Sequence, residues 1–192
     1  MNPEIAELSV WGLWGVSWML AALWADRATA RAGVTTQWPY FALSVIGFSL
    51  LFQPPASSVA GARLWTTTPA LAWAMVTLSV AGFAFCWWAR LHLGRLWSGT
   101  VTRKAEHRIV DTGPYRWVRH PIYTGLLAAA AAQAVLAGTA NAFAGAALMA
   151  LAHVLKARVE EGFLKSQLGA ESYDAYARRT PMLVPWPRRS RP

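Results

Sequence analysis

The sequence predicts an all-α integral membrane protein with five transmembrane helices. Two observations predict it. Hydrophobic residues make up 55% of the 192 and charged residues only 14%, where a soluble domain carries about 25% charged. The apolar residues are also gathered into long stretches free of charge, separated by short polar links. Twelve tryptophans agree with this, because aromatic side chains of this kind gather at membrane–water interfaces.

Residues 8–25 are a first uncharged stretch, close to the minimum for a spanning helix. A polar link with Asp26, Arg27 and Arg31 leads to a second, 34–52, which carries Pro39 near its start and stops at Pro54-Pro55. A loop rich in Pro, Ser, Thr and Gly follows. Pro69 then opens the strongest span, 70–89. Residues 90–120 are cationic. The apolar run after Ile122 is too long for one span at 1.5 Å rise per residue. The sequence AGTAN at 137–141 divides it into spans of about 122–136 and 139–154, whose alanines and glycines permit close packing. From Leu155 the chain is polar, basic and helical as far as Thr180-Pro181. The whole, 1–192, reads as a single domain.

Charge sorts these segments by side. With the N-terminus outside, segments 26–33, 90–120 and 155–192 lie inside and hold 17 of the 18 basic residues, leaving Arg63 outside. Five spans satisfy the positive-inside rule and four do not. The net charge of +9 therefore belongs to membrane-flanking surfaces, and no nucleic-acid partner is expected. The expected location is a bacterial inner membrane with the C-terminus cytoplasmic. Glu4 and Glu7 stand where a signal peptide would need positive charge, so no cleavable signal is expected. Cys86 is the single cysteine and sits in an apolar run, where it reads as a packing thiol.

Residues 107–125, HRIVDTGPYRWVRHPIYTG, are the densest in groups that bind charged ligands. Gly113-Pro114 is a turn signal, and Pro121 sits where a helix can start without a backbone donor. Arg119 and His120 then stand at a helix N-terminus, whose N–H groups attract anions. Further on, Glu160 and Glu161 are adjacent and so about 100° apart on a helix. One is expected to face a ligand while the other pairs with a basic neighbour; a solvated, salt-bridged helix end accounts for them equally. Tyr173 and Tyr176 are spaced to pack at i, i+3. His92 and His153 read as structural or interfacial. No metal site is expected, since His107 and His120 lack ligand spacing with other donors. No dinucleotide or phosphate-loop motif is present.

Three blocks together, LGRLWS, HRIVDTGPYRWVRHPIYTG and RVEEGFLKSQLGAESYDAYARRTP, closely resemble the isoprenylcysteine carboxyl methyltransferase family. These are integral-membrane enzymes that use S-adenosylmethionine and also resemble the phospholipid N-methyltransferases. The resemblance covers roughly the C-terminal half. It implies a cytosolic cofactor pocket formed by the 90–120 loop and the C-terminal helix. His107, Tyr115, Arg119, His120, Tyr123, Glu160 and Glu161 are the implied cofactor-binding residues, with Glu160 the weaker of the two carboxylates. Tyr115, Trp117 and Tyr123 would wall the adenine. Arg158, Glu161 and Arg119 are the catalytic candidates, with Arg158 or Lys156 holding an ionised acceptor and Glu161 available to deprotonate an amine.

The acceptor expected from the resemblance is lipophilic, a prenylcysteine-type carboxylate, entering from the membrane lipid. A thiol or lipid amine is the alternative within the same fold. An NADPH-dependent sterol-type reductase shares an RHP-x-Y block, but Glu160-Glu161 and LGRLWS look more like the methyltransferases. A non-catalytic membrane scaffold with an anion-binding face is the third reading.

Overall fold

The computed structural model describes residues 2–23, 30–31, 34–55, 62–94, 97, 102–103 and 109–185. These form an all-helical bundle in which α1 is Pro3–Ala22, α2 Val34–Leu51, α3 Pro69–Leu93, α4 Pro121–Ala137, α5 Ala140–Leu168 and α6 Ala170–Arg179. Helices α1, α3 and α5 (over Ala140–Gln167) are long and apolar enough to cross a membrane, and α4 is a shorter apolar helix. Helix α2 has 18 residues and no charged one. On α1, Ile5, Leu13, Val16, Met19 and Leu20 are exposed, as is Leu23 at its C-cap; lipid, not water, suits such a surface.

The helix ends follow local chemistry. Asn2 caps α1 by accepting from the Glu4 N–H at 2.8 Å, and Pro3 occupies the first turn, where no donor is needed. Helix α1 thus starts before the expected Leu8. The charge of Glu7 does not end it, because Glu7 is fully buried and accepts from Trp11 Nε1 at 2.9 Å and Ser79 Oγ at 2.5 Å. Thr68 caps α3. Gly138, at φ 64, closes α4 in the left-handed conformation, and Thr139 caps α5 through the Ala142 N–H, at the predicted division of the long apolar run.

Helix α5 runs on well past Val154, because Lys156, Arg158, Glu160, Glu161 and Lys165 are all acceptable in a helix. The uncharged part ends at Leu155, so the remainder is a polar extension beyond the apolar span. It stops only at Gly169, φ 92, which separates α6 from what the sequence suggested was one continuous helix.

Connections sort into two ends. At one, β1 (Ala30–Arg31) pairs antiparallel with β2 (Thr102–Arg103), joining the links that follow α1 and α3. At the other, Arg63 bridges to Thr139, the Leu64 N–H donates to Gly138 O at 2.7 Å, and Asn141 Nδ2 donates to Gln53 Oε1 at 2.7 Å. Arg63 also pairs with Glu4 at 2.7 Å.

Two glycine pairs set the helix spacing. A Cβ on Gly82 of α3 would lie 2.5 Å from Gly125 O of α4, and one on Gly145 of α5 would lie 2.5 Å from Gly47 O of α2. Cys86, fully buried, packs at the first crossing with its Sγ 3.2 Å from Ile122 O. With no hydrophobic force between helices in lipid, such backbone contact is what holds them. Replacing Gly82 or Gly145 by Val should therefore cost about 1–3 kcal/mol or more. Gly12→Ala, which meets nothing within 4 Å, should stay within about 0.5 kcal/mol. Reversible unfolding in detergent reads both, and an unchanged Gly82→Val midpoint would show that the crossing is slack.

Candidate functional site

The site is assembled where the turn before α4, the polar extension of α5 and the C-terminal segment meet. Gly113 has φ 57, a conformation that favours glycine, and the His92 ring lies 2.7 Å from where a Cβ would be. His92 Nε2 in turn lies 2.8 Å from Thr112 Oγ1. The resulting single 3-10 turn, Gly113–Arg116, buries Tyr115. Helix α6 fixes this residue from the other side: Tyr176 donates its hydroxyl proton to Tyr115 O at 2.8 Å. Tyr173 and Tyr176 are both buried and meet edge to face at 6.0 Å. The chain after α6 then runs along the RHP stretch. The Arg119 N–H donates to Pro181 O at 2.9 Å, the His120 N–H to Met182 O at 3.1 Å, and Thr124 Oγ1 to Leu183 O at 2.6 Å.

Pro121 opens α4 as its sequence position predicts, with His120 at the N-cap. His120 makes no capping bond, because its ring is engaged elsewhere. Nε2 is 3.0 Å from Glu161 Oε1 and Nδ1 is 3.5 Å from Glu160 Oε2. The two carboxylates, expected to serve different partners, thus share one imidazole. They leave α5 in different directions, and the two ring nitrogens sit on opposite sides of the ring between them. Arg119 forks onto Glu161 at 2.8 and 3.2 Å and gives Nη1 to the carbonyls of Ala177 and Thr180. Tyr123 stacks on His120 with ring centroids 5.3 Å apart and donates to Glu160 Oε1 at 2.6 Å. His153 meets Tyr123 edge to face, and Lys156 Nζ lies 5.3 Å from the centre of the same ring.

Electrostatics follow from this packing. Burial alone would lower the His120 pKa, but hydrogen bonds to Glu160 and Glu161 outweigh it and raise the value above 6.5. Burial would raise Glu161, yet His120 and Arg119 hold it down at about 2. Glu160 likewise stays low against burial, through its bond to His120 and the charge of Lys156. Burial pushes the Tyr115 phenol well above 10. A protonated His120 makes the cluster balanced, two cations against two carboxylates.

Arg119, His120, Tyr123, Glu160 and Glu161 therefore form one contact chain, with Tyr115 held beside it by α6. Arg158 is exposed on α5 and stands apart from the cluster. Trp117 is 47% exposed and packs outward on Phe85 and Trp88, so it does not wall the site. His107 lies outside the described residues, as do Arg95, Leu96 and Ser98 of the LGRLWS block. Sequence reading missed two features. One is the C-terminal segment paired along Arg119 and His120. The other is Arg90, fully buried at the end of α3, with its guanidinium 3.7 Å from the centre of the Trp97 ring. Its Nη2 donates to Ala21 O, while Nε and Nη1 have no hydrogen-bond partner among the described residues. An arginine directly after an apolar run was the available signal, but it reads as a membrane-edge anchor until its burial is known.

The isoprenylcysteine carboxyl methyltransferase (ICMT) family model matches residues 74–165. Over this region the chain is similar to that family. The match contains Arg90, Tyr115, Arg119, His120, Tyr123, Glu160 and Glu161. The chain is also 36% identical, over 98 residues, to the cobalt-zinc-cadmium resistance protein CzcN of Cupriavidus metallidurans. That match takes in 48% of this chain and 43% of the relative, less than half of either. Among the described residues no group of three or more His, Cys, Asp or Glu is placed to hold a metal ion.

The pKa directions give a stability window. His120 contributes fully below pH 6.5 and loses its contribution as pH rises through its raised folded value. Glu161 contributes fully above pH 4.5 and loses it as pH falls towards about 2. Thermal unfolding in detergent should show highest stability between 4.5 and 6.5, and His120→Gln should flatten the alkaline decline. Equal alkaline slopes in both proteins would remove His120 as the cause.

Proposed function

We propose that the protein is an integral-membrane methyltransferase that moves the methyl group of S-adenosylmethionine to a lipophilic carboxylate of the prenylcysteine type. The observation that carries this reading is the Arg119–Glu161–His120–Glu160 cluster at the start of α4, inside the family-matched region. The cofactor carries a carboxylate, an ammonium and a sulfonium, and the cluster offers both signs. The α4 start also fits the anionic end: with no side-chain cap, the N–H groups of Ile122 and Tyr123 are available to a carboxylate. Glu160 and Glu161 suit the ammonium and ribose hydroxyls. The buried Tyr115 and the stacked Tyr123 supply apolar faces.

Bound S-adenosylmethionine would supply an electrophilic methyl for in-line displacement. The chain's own part is alignment and exclusion of water. An ionised carboxylate needs no general base, only a cation to hold it. Arg90 suits that role better than Arg158, since it is buried and keeps two donor nitrogens without partners among the described residues. A cation there also favours an anionic acceptor over a lipid amine, which it would repel. The face carrying the site is assigned to the cytoplasm, with the N-terminus outside and five spans in an inner membrane, from the distribution of basic residues.

Calorimetric titration of the detergent-purified protein with S-adenosylhomocysteine tests the cofactor. Saturable binding is expected, lost in His120→Ala and Glu161→Ala; NADPH binding instead would promote the reductase reading. Arg90→Gln should slow transfer to a prenylcysteine about 10- to 100-fold, the worth of hydrogen bonds to a charged group, with cofactor binding nearly unchanged. Arg158→Ala should leave both nearly unchanged. The reverse pattern would return the acceptor to Arg158.

A further inference from the structure

The end of the bundle away from this site holds a cavity of about 210 Å³. It opens between the start of α1, the end of α2 and the end of α4. Gln133, the polar residue on its inner wall, lies 12 positions along α4 from Pro121, hence about 18 Å from the RHP stretch. Its side chain is buried, with 8% exposure, and makes no hydrogen bond to any described residue. Its amide is not among the enclosed, unpartnered polar groups and lines the cavity, where it can pair with a ligand. Phe52 and Leu136 line the apolar wall. Leu8, also on the lining, is 57% exposed and continues onto the outer surface of α1.

The rim carries both signs of charge. Arg63 and Glu4 line the cavity and pair through one Nη2 and one Oε1 at 2.7 Å. Their side chains remain 35% and 52% exposed, leaving donors on Arg63 and an oxygen on Glu4 for a ligand. A group with an anion and an N–H cation a few bonds apart can complete a four-charge ring without breaking the pair. The volume lies below the roughly 300 Å³ at which small-molecule sites begin, so only part of a larger molecule enters.

We propose that this cavity holds the headgroup end of one phospholipid of the phosphatidylethanolamine type. The phosphate meets Arg63, the primary ammonium meets Glu4, and a glycerol ester carbonyl accepts from Gln133. The acyl chains then leave over Leu8 into the membrane. Phosphatidylglycerol brings no cation for Glu4, and phosphatidylcholine brings a cation with no N–H to donate.

The test is native mass spectrometry of the protein released from nanodiscs of phosphatidylethanolamine, phosphatidylglycerol and phosphatidylcholine in equal proportion. One phosphatidylethanolamine should remain bound in preference to the others. Gln133→Leu, which leaves the rim charges in place, and Arg63→Gln should each reduce its retention about tenfold. Helical circular dichroism and a single elution peak check that both variants are folded; if Arg63→Gln fails this check, Gln133→Leu decides. Equal retention of the three lipids, retention of none, or retention insensitive to Gln133→Leu overturns the proposal.

Discussion

The interaction on which the site depends is the bidentate Arg119–Glu161 pair with His120 closing against it. It joins three segments distant in sequence: the turn before α4, the polar extension of α5 and the chain after α6. Removing one partner of a buried ion pair costs about 3–5 kcal/mol, because the other charge is left uncompensated. Arg119 spends its remaining donor on the carbonyls of Ala177 and Thr180. The same guanidinium therefore ends α6 and orients the carboxylate. Fork geometry makes this possible, and a lysine, with one point charge, could not serve both directions.

The pair needs a frame that brings α4 and α5 to it in register, and that frame is built from small residues. The α3–α4 crossing at Gly82 and Gly125, and the α2–α5 crossing at Gly47 and Gly145, bring backbones into direct contact. Helix α4 then reaches α5 through the tight turn at Gly138, where a Cβ would strike Trp65 O at 2.8 Å. With crossings and turn fixed, the start of α4 can only face the polar extension of α5. The aromatic side of the core is built differently. Trp11, Trp14 and Phe83 pack α1 against α3 with ring centroids 4.6 to 6.2 Å apart, and large rings there keep α1 at greater distance than the glycines allow elsewhere.

What the sequence made legible was local. Pro121 as a helix start, Gly113-Pro114 as a turn and the break at 137–141 are encoded by backbone chemistry within a few residues. The apolar stretches were legible for the same reason, apart from ends such as Glu7, whose charge hid its burial against Ser79, 72 positions away. The convergence of Glu160 and Glu161 on one ring was not legible. Helix geometry separates adjacent side chains by about 100°, and nothing local says that a ring will stand between them. Arg90 was hidden by the same limitation. An arginine after an apolar run usually snorkels to water, and only the positions of Trp18, Trp97 and Ala21 show that this one is enclosed.

Arg63, the basic residue that stands apart from the others, has a local reason for its place. Its backbone bridges Thr139 and its side chain pairs with Glu4, so it ties the start of α1 to the turn between α4 and α5. That turn sets where α4 ends and therefore where it begins, because a helix advances a fixed 1.5 Å per residue. A charge at one end of the bundle thus bears on the geometry at the other. The rigid element linking them is α4, with Gln133 near one end and His120 at the other.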